Sequence, residues 1–244
     1  MGALIYVTDL GLTDYHAALR MQYALHARCR TTGENALMLT QHYPVVTLGY
    51  RRVKEHLRLS AAELSEKGIG LIEVERGGGA TYHGPGQLVA YPIFSSLLRP
   101  CGVRSFIARL EEILSRVSRS FGVEAVRHPG FPGVWVGERK LGSVGVAVRQ
   151  RVSLHGCALN VNLDLRPFNY IAPCGLSDRA MTSLENERGV SISMSEVVQQ
   201  TRLNFAAVFA ATLEEIPDEW CCLERETGEG ALDYYQSSRA AECP

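Results

Sequence analysis

Residues 76–93 read R-G-G-G-A-T-Y-H-G-P-G-Q-L-V-A-Y-P-I. Three successive glycines, Gly77, Gly78 and Gly79, remove every side chain between Arg76 and Ala80, so the backbone there can take positive φ and lie directly against a ligand. The Gly84-Pro85-Gly86 turn redirects the chain. From Gln87 onward the letters are those of a strand, with Leu88, Val89, Tyr91 and Ile93 leading away. That direction decides between folds. A dinucleotide-binding G-x-G-x-x-G opens a helix and a phosphate loop ends in Lys-Ser or Lys-Thr; this run feeds a strand, and no phosphate-loop pattern occurs elsewhere in the chain. Two readings remain: a tight loop with an ordinary surface histidine, or a binding loop anchored by a strand and presenting Arg76, Thr81, Tyr82 and His83.

Upstream, residues 4–7 read as a first strand. Thr13 or Asp14 caps a helix running to about residue 30, with Leu19, Gln22, Tyr23 and His26 at helical spacing. Residues 36–40 read as a buried strand, Pro44 and Gly49 bracket a short extended piece, 61–67 a helix, and 70–75 a strand entering the glycine loop. His42, beside a proline turn, reads as structural, with a catalytic role as the alternative. Downstream, Ile107, Leu110, Ile113, Leu114 and Val117 share one face of a helix over 105–120. Residues 134–136 and 141–148 form a hairpin around Gly137-Glu138-Arg139, with Lys140 entering its second strand. A strand over 152–163, an irregular segment through Cys174 and a helix over about 195–213 complete the expected elements. The whole is one α/β domain on a mixed sheet over 1–216, with an acidic, polar tail over 217–244 that is expected to be less ordered.

The chain has 244 residues, a formal net charge of −1 and seven cysteines. Near-neutral charge gives no footprint for nucleic acid. An odd number of irregularly spaced cysteines is not a secreted disulfide framework. The N-terminus lacks a basic region and reaches Asp9 before an apolar core is complete, and no apolar run is long enough to cross a membrane. These features point to a cytoplasmic protein that uses no membrane.

No metal is expected. His155-Gly156-Cys157 with Pro173-Cys174 lacks the H-x-E and P-C-x-x-C of a zinc deaminase, and neither H-E-x-x-H nor paired C-x-x-C occurs. G-x-S-x-G is absent as well. Among the cysteines, only Cys174 lies on a Pro-Gly-flanked loop after strands, where a thiol can be both exposed and held; an inert half-buried thiol is the competing reading. Lys140, read alone, is a solvated lysine near a hairpin turn. The basic run of Arg51, Arg52, Lys54 and Arg58 is either a solvated face or a dock for an acidic partner.

Four motifs change the balance: R-G-G-x-x-T-Y-H-G-P-G-Q at 76–87, K-x-x-S-V-G at 140–145, H-G-x-A-L-N-V at 155–161 and P-C-G at 173–175. Together, and in this order, they closely resemble the lipoyl(octanoyl) transferase family, from the first strand to about residue 213. Gly79-Ala80 stands where many members carry a polar and a β-branched residue, a difference in the pocket wall.

The resemblance implies the fold of lipoate and biotin protein ligases, a single domain with a mixed, mainly antiparallel sheet flanked by helices. It implies transfer of an octanoyl group from octanoyl-acyl carrier protein to a lysine of lipoyl domains, those of 2-oxoacid dehydrogenase E2 subunits and the glycine cleavage H protein, with no cofactor. By motif matching, Cys174 is the nucleophile and Lys140 its partner. The acyl site takes Arg76, Gly77, Gly78, Gly79, Ala80, Thr81, Tyr82 and His83 from the first motif, Ser143, Val144 and Gly145 from the second, and Gly156, Cys157 and Ala158 from the third. The alternatives are an ATP-dependent lipoate–protein ligase and a non-catalytic binder of lipoyl domains or acyl carriers.

Overall fold

The computed structural model describes residues 3–50, 57–95, 97–98, 102–172 and 180–221. An eight-stranded sheet runs in the order β11-β1-β2-β6-β10-β9-β8-β7. Its strands are β1 (Ala3–Thr13), β2 (Asn35–His42), β6 (Gln87–Phe94), β7 (Val126–His128), β8 (Phe131–Val136), β9 (Arg139–Arg149), β10 (Val152–Asn160) and β11 (Ala211–Glu215). β1 pairs in parallel with β11 and β2, and every other pairing in this sheet is antiparallel. The central strands β6 and β10 are buried at every residue, as expected where helices or a second sheet cover both faces. A smaller sheet, β4-β3-β5, combines β3 (Val45–Leu48), β4 (Gly70–Glu73) and β5 (Ala80–His83).

Helix α1 (Tyr15–Thr32) begins where the Asp14 carboxylate accepts the Ala17 N–H and ends at Gly33, whose left-handed backbone returns its N–H to the Cys29 carbonyl. The expected face of Leu19, Gln22, Tyr23 and His26 is buried and packs with Met38, Val89 and Leu154 on one side of the sheet. Helix α3 (Gly102–Ser120) covers the other side. It buries Phe106, Leu110, Ile113, Leu114 and Val117 with Val134, Leu141 and Phe205, the last from α5 (Met194–Phe209). Helix α2 (Ala61–Glu66) opens on a reciprocal cap: the Ser60 hydroxyl accepts the Glu63 N–H and the Glu63 carboxylate accepts the Ser60 N–H.

Several expectations change; the strand expected over 152–163, for one, ends at Asn160. Residues 80–83, read as loop, form β5, because each of them finds a partner on β3. The strand expected over 70–75 ends at Glu73. The helix expected to reach residue 213 stops at Phe209: Ala210 takes φ 50°, and the chain then pairs with β1 as an edge strand. A run rich in alanine and β-branched residues carries either structure, and the free edge of β1 selects the strand. Beyond Pro217 a short helix over Asp218–Cys221 places Trp220 in the core against Tyr6 at 4.5 Å between rings.

Candidate active site

A cavity of about 340 Å³ lies between the glycine loop and the β6-β10-β9 face of the large sheet. Arg76, Gly77 and Gly78 form one wall, continued by Ala80, Thr81 and His83 of β5. Backbone bonds hold this loop. Gly49 donates to Gly79 at 3.1 Å, Tyr50 to the Arg76 carbonyl at 2.8 Å and Gly77 to Val146 on β9 at 3.0 Å. The Arg76 guanidinium is buried and donates to the Thr47 carbonyl at 2.7 Å and to its hydroxyl at 2.8 Å. Tyr82 is turned away by strand alternation and meets Phe168 at 5.6 Å. It and Gly79 are the described members of the expected acyl site outside the cavity wall.

The floor comes from Lys140, Ser143, Val144, Gly145 and Val146 of β9 with His155, Gly156, Cys157 and Ala158 of β10. Gly145 and Gly156 face each other across the ladder, so no side chain stands on the floor at that row. A Cβ at Gly156 would lie 2.0 Å from the Ala90 carbonyl oxygen, and one at Gly145 would lie 3.1 Å from the Gly77 oxygen. Val103 and Ile107 at the start of α3, and Met181, complete the enclosure.

Lys140 is 6 % exposed, which removes the solvated-lysine reading. Its ammonium lies 5.2 Å from the Trp135 ring centroid, a favourable place for a cation. Its backbone is clamped by the returning chain: Lys140 donates to Ala180 and accepts from Thr182, both at 2.9 Å. Gly133, at φ 127°, passes so close that a Cβ there would meet the Lys140 side chain at 2.8 Å, and its N–H is held by the buried Glu111 carboxylate at 2.9 Å. Cys174, the expected nucleophile, lies outside the described residues, as do Arg51, Arg52 and Lys54. Burial pushes the Cys157 thiol up to about 12, so it is protonated near neutrality.

Two hydrogen-bond chains reach the cavity, and a backbone carbonyl, which can only accept, fixes the direction of each. In the first, His42 Nδ1 lies 3.1 Å from the Thr13 carbonyl and so carries the proton; Nε2 therefore accepts from the Tyr91 hydroxyl at 2.7 Å, and Tyr91 is bonded in turn to Tyr15. In the second, Asn160 Nδ2 donates to the Thr182 carbonyl at 2.9 Å, Gln87 Nε2 donates to Asn160 Oδ1 at 2.9 Å, and Gln87 Oε1 accepts from His83 Nδ1 at 2.6 Å. Each tautomer follows from this logic. Burial, followed by the neighbouring His42, depresses His83 to about 3, and burial depresses His42 to about 4.

His155 is the strained member. Pro92 has no N–H, and the β6–β10 ladder runs only from Cys157↔Ala90 onward. The Ser153 hydroxyl bridges the gap, donating to the Pro92 carbonyl and accepting from Phe94. At the break His155 takes φ 57°, its N–H goes to Gln22 Oε1, and both ring nitrogens are buried without a partner. Leaving such groups unpaired costs about 1–3 kcal/mol. Burial first, and Arg76 second, push its pKa down to about 3.

Reading the sequence missed Tyr15, Tyr91 and the Gln87–Asn160 pair. The signal was present in the amides, two polar side chains at the facing ends of buried strands. Among the described residues no three of His, Cys, Asp or Glu cluster as metal ligands, and no helix is long and apolar enough to cross a membrane.

The family model described as "Lipoyl protein ligase A/B catalytic domain" matches residues 14–206. The chain is 45% identical over 197 residues to an octanoyltransferase of Desulfotalea psychrophila, covering 79% of this chain and 88% of that one. It is 46% identical over 202 residues to one of Nitratidesulfovibrio vulgaris, covering 82% and 93%. Among solved structures, a lipoate-protein ligase A bound with ATP superposes with a TM-score of 0.75 at 21% identity, over 93% of this chain and 94% of that one. A putative lipoate protein ligase from T. acidophilum with bound lipoic acid gives 0.73 at 21% identity, over the same shares. These two likenesses establish the fold, the mixed sheet flanked by helices expected from the sequence.

Proposed function

Since the chain belongs to the octanoyltransferases, acyltransferases that share the lipoyl protein ligase A/B catalytic domain, we propose that it moves an octanoyl group from octanoyl-acyl carrier protein to a lysine of a lipoyl domain through a thioester on Cys174. The acceptors are the lipoyl domains of 2-oxoacid dehydrogenase E2 subunits and the glycine cleavage H protein, and the setting is the reducing cytoplasm. The observation that carries this reading is Lys140, a buried lysine at the glycine-floored cavity.

The Cys174 thiolate attacks the carrier thioester; the new carbon–sulfur bond forms as the carrier's breaks, and the carrier thiol leaves with a proton from the Lys140 ammonium. The lysine amine of the lipoyl domain then attacks the acyl-enzyme. An amide forms, the Cys174 thioester breaks, and the surplus amine proton returns to Lys140. A thiol of ordinary pKa about 8.5 is only a few per cent ionised at neutral pH, and an adjacent ammonium favours the thiolate. Two features support Cys174: Ala180, a few residues further along the chain, accepts the Lys140 N–H, and Cys157, the cavity thiol among the described residues, is held protonated. Burying about six methylenes at roughly 0.8 kcal/mol each contributes on the order of 5 kcal/mol to holding the chain. Thioester to amide is downhill, so no nucleotide enters the reaction.

The test is intact-mass spectrometry of the protein mixed with octanoyl-acyl carrier protein, without ATP, beside a Cys174→Ser variant. An octanoyl adduct on the wild type alone, discharged by a lipoyl domain, is the expected result. A requirement for ATP and free octanoate would replace this reading with a ligase, and binding without any adduct would replace it with a carrier-binding protein.

A further inference from the structure

The second hydrogen-bond chain has a free end. His83 Nδ1 is committed to Gln87, so a neutral ring carries no proton on Nε2. Among the described residues no hydrogen-bond partner meets that nitrogen, and His83 lines the cavity. Nε2 is therefore a bare acceptor opening on the slot.

Strand register shows which end of the slot it serves. Gln87 pairs with Asn160, and Leu159 pairs with Gly142, so the row of Gln87 and Asn160 continues to Leu141 at the start of β9, next to Lys140. Two strand spacings of about 4.8 Å separate Gln87 from β9 along that row. The opposite end, where Gly77 bonds Val146, lies roughly 20 Å along β9, at about 3.3 Å per residue. His83 is thus at the Lys140 end. A saturated acyl chain carries no N–H or O–H, so the substrate donor that such an acceptor can meet is the attacking amine.

We propose that His83 Nε2 accepts an N–H of the incoming primary amine and aligns its lone pair on the acyl carbonyl, with Gln87 and Asn160 as positioning residues that hold His83 in the Nδ1–H tautomer. This rests on the transferase reading above. A ring so hard to protonate takes no proton from the amine; it orients the nucleophile, and the surplus proton leaves by Lys140. The chain Thr182–Asn160–Gln87–His83 also ties that orientation to the backbone that clamps Lys140.

Long-range proton–nitrogen correlation spectra of the full chain, labelled in histidine nitrogen, report the tautomer directly. Near neutral pH, His83 is expected as Nδ1–H with an unprotonated Nε2, and Gln87→Met is expected to move the proton to Nε2. Rapid-quench measurement of the two half-reactions supplies the functional readout. In His83→Phe and Gln87→Met, discharge of the acyl-enzyme by a lipoyl domain should fall at least tenfold more than its formation. A wild-type Nε2–H tautomer, or equal losses in both half-reactions, would overturn the assignment. If no acyl-enzyme forms on the wild type, the transferase reading fails instead, and the tautomer spectrum still reports on the hydrogen-bond chain.

Discussion

Acidification from about pH 7.5 to pH 5 should strip most of this fold's stability, through imidazoles rather than carboxylates. His83 and His155 are held at about 3 and His42 at about 4 in the folded chain, each against an ordinary 6.5. Between those values the unfolded chain binds protons that the folded chain does not, so stability rises with pH across the window and is lost as pH falls through it. At pH 5 the unfolded imidazole lies 1.5 units below its own pKa while the folded one is still neutral. At about 1.4 kcal/mol per unit, that is roughly 2 kcal/mol for each histidine and on the order of 6 kcal/mol for the three, comparable with the whole stability of an ordinary domain. His26, also lowered by burial, pushes the same way. Arg116, Arg166 and Arg139 hold Glu112, Asp164 and Glu187 below their ordinary values of 4.5, 3.8 and 4.5; those groups act only at lower pH. Urea unfolding followed by the fluorescence of the buried Trp135 and Trp220 at pH 5, 6 and 7.5 measures the slope. Free energies that agree within about 1 kcal/mol across that range would refute the argument.

Gly156→Ala, whose Cβ would sit 2.0 Å from the Ala90 oxygen, should cost about 3 kcal/mol or more through a forced backbone shift. Gly11→Ala, with open space but φ +60°, should cost only about 1 kcal/mol, and urea midpoints separate the two. Lys140→Met should slow acyl-enzyme formation about 100-fold near pH 7 and recover part of the loss near pH 9, where an unassisted thiol ionises; quenched mass spectrometry reads this directly. Ser60→Ala removes the reciprocal cap of α2 and should cost about 1 kcal/mol in the same unfolding assay.

Local chemistry was legible wherever one element decided its own shape. Asp14 and Gly33 ended α1 as their side-chain chemistry requires, and Gly137 placed the turn that carries Lys140 into β9. What the sequence left open was settled between elements. Residues 80–83 are a strand only because β3 lies beside them, and residues 211–215 only because β1 had a free edge. The motifs brought Arg76, Lys140 and Gly156 to one cavity, although they are far apart in the chain. The tautomer of His83 was hidden, since it depends on a carbonyl at Thr182, almost a hundred residues away, reached through two amides on different strands. The strain at His155 was hidden as well; it answers a missing N–H on Pro92, a residue of the neighbouring strand.

The pairing of β1 with β11 sets a timetable for biosynthesis. The strand that seals the outer edge of β1 leaves the ribosome roughly 200 residues after β1 itself, some 10–40 s at about 5–20 residues per second. Throughout that interval the nascent chain carries an open, apolar strand edge that another chain can join. Stalled or prematurely ended translation products should therefore be recruited by chaperones or aggregate through that edge, and the product becomes safe only once β11 has docked beside β1.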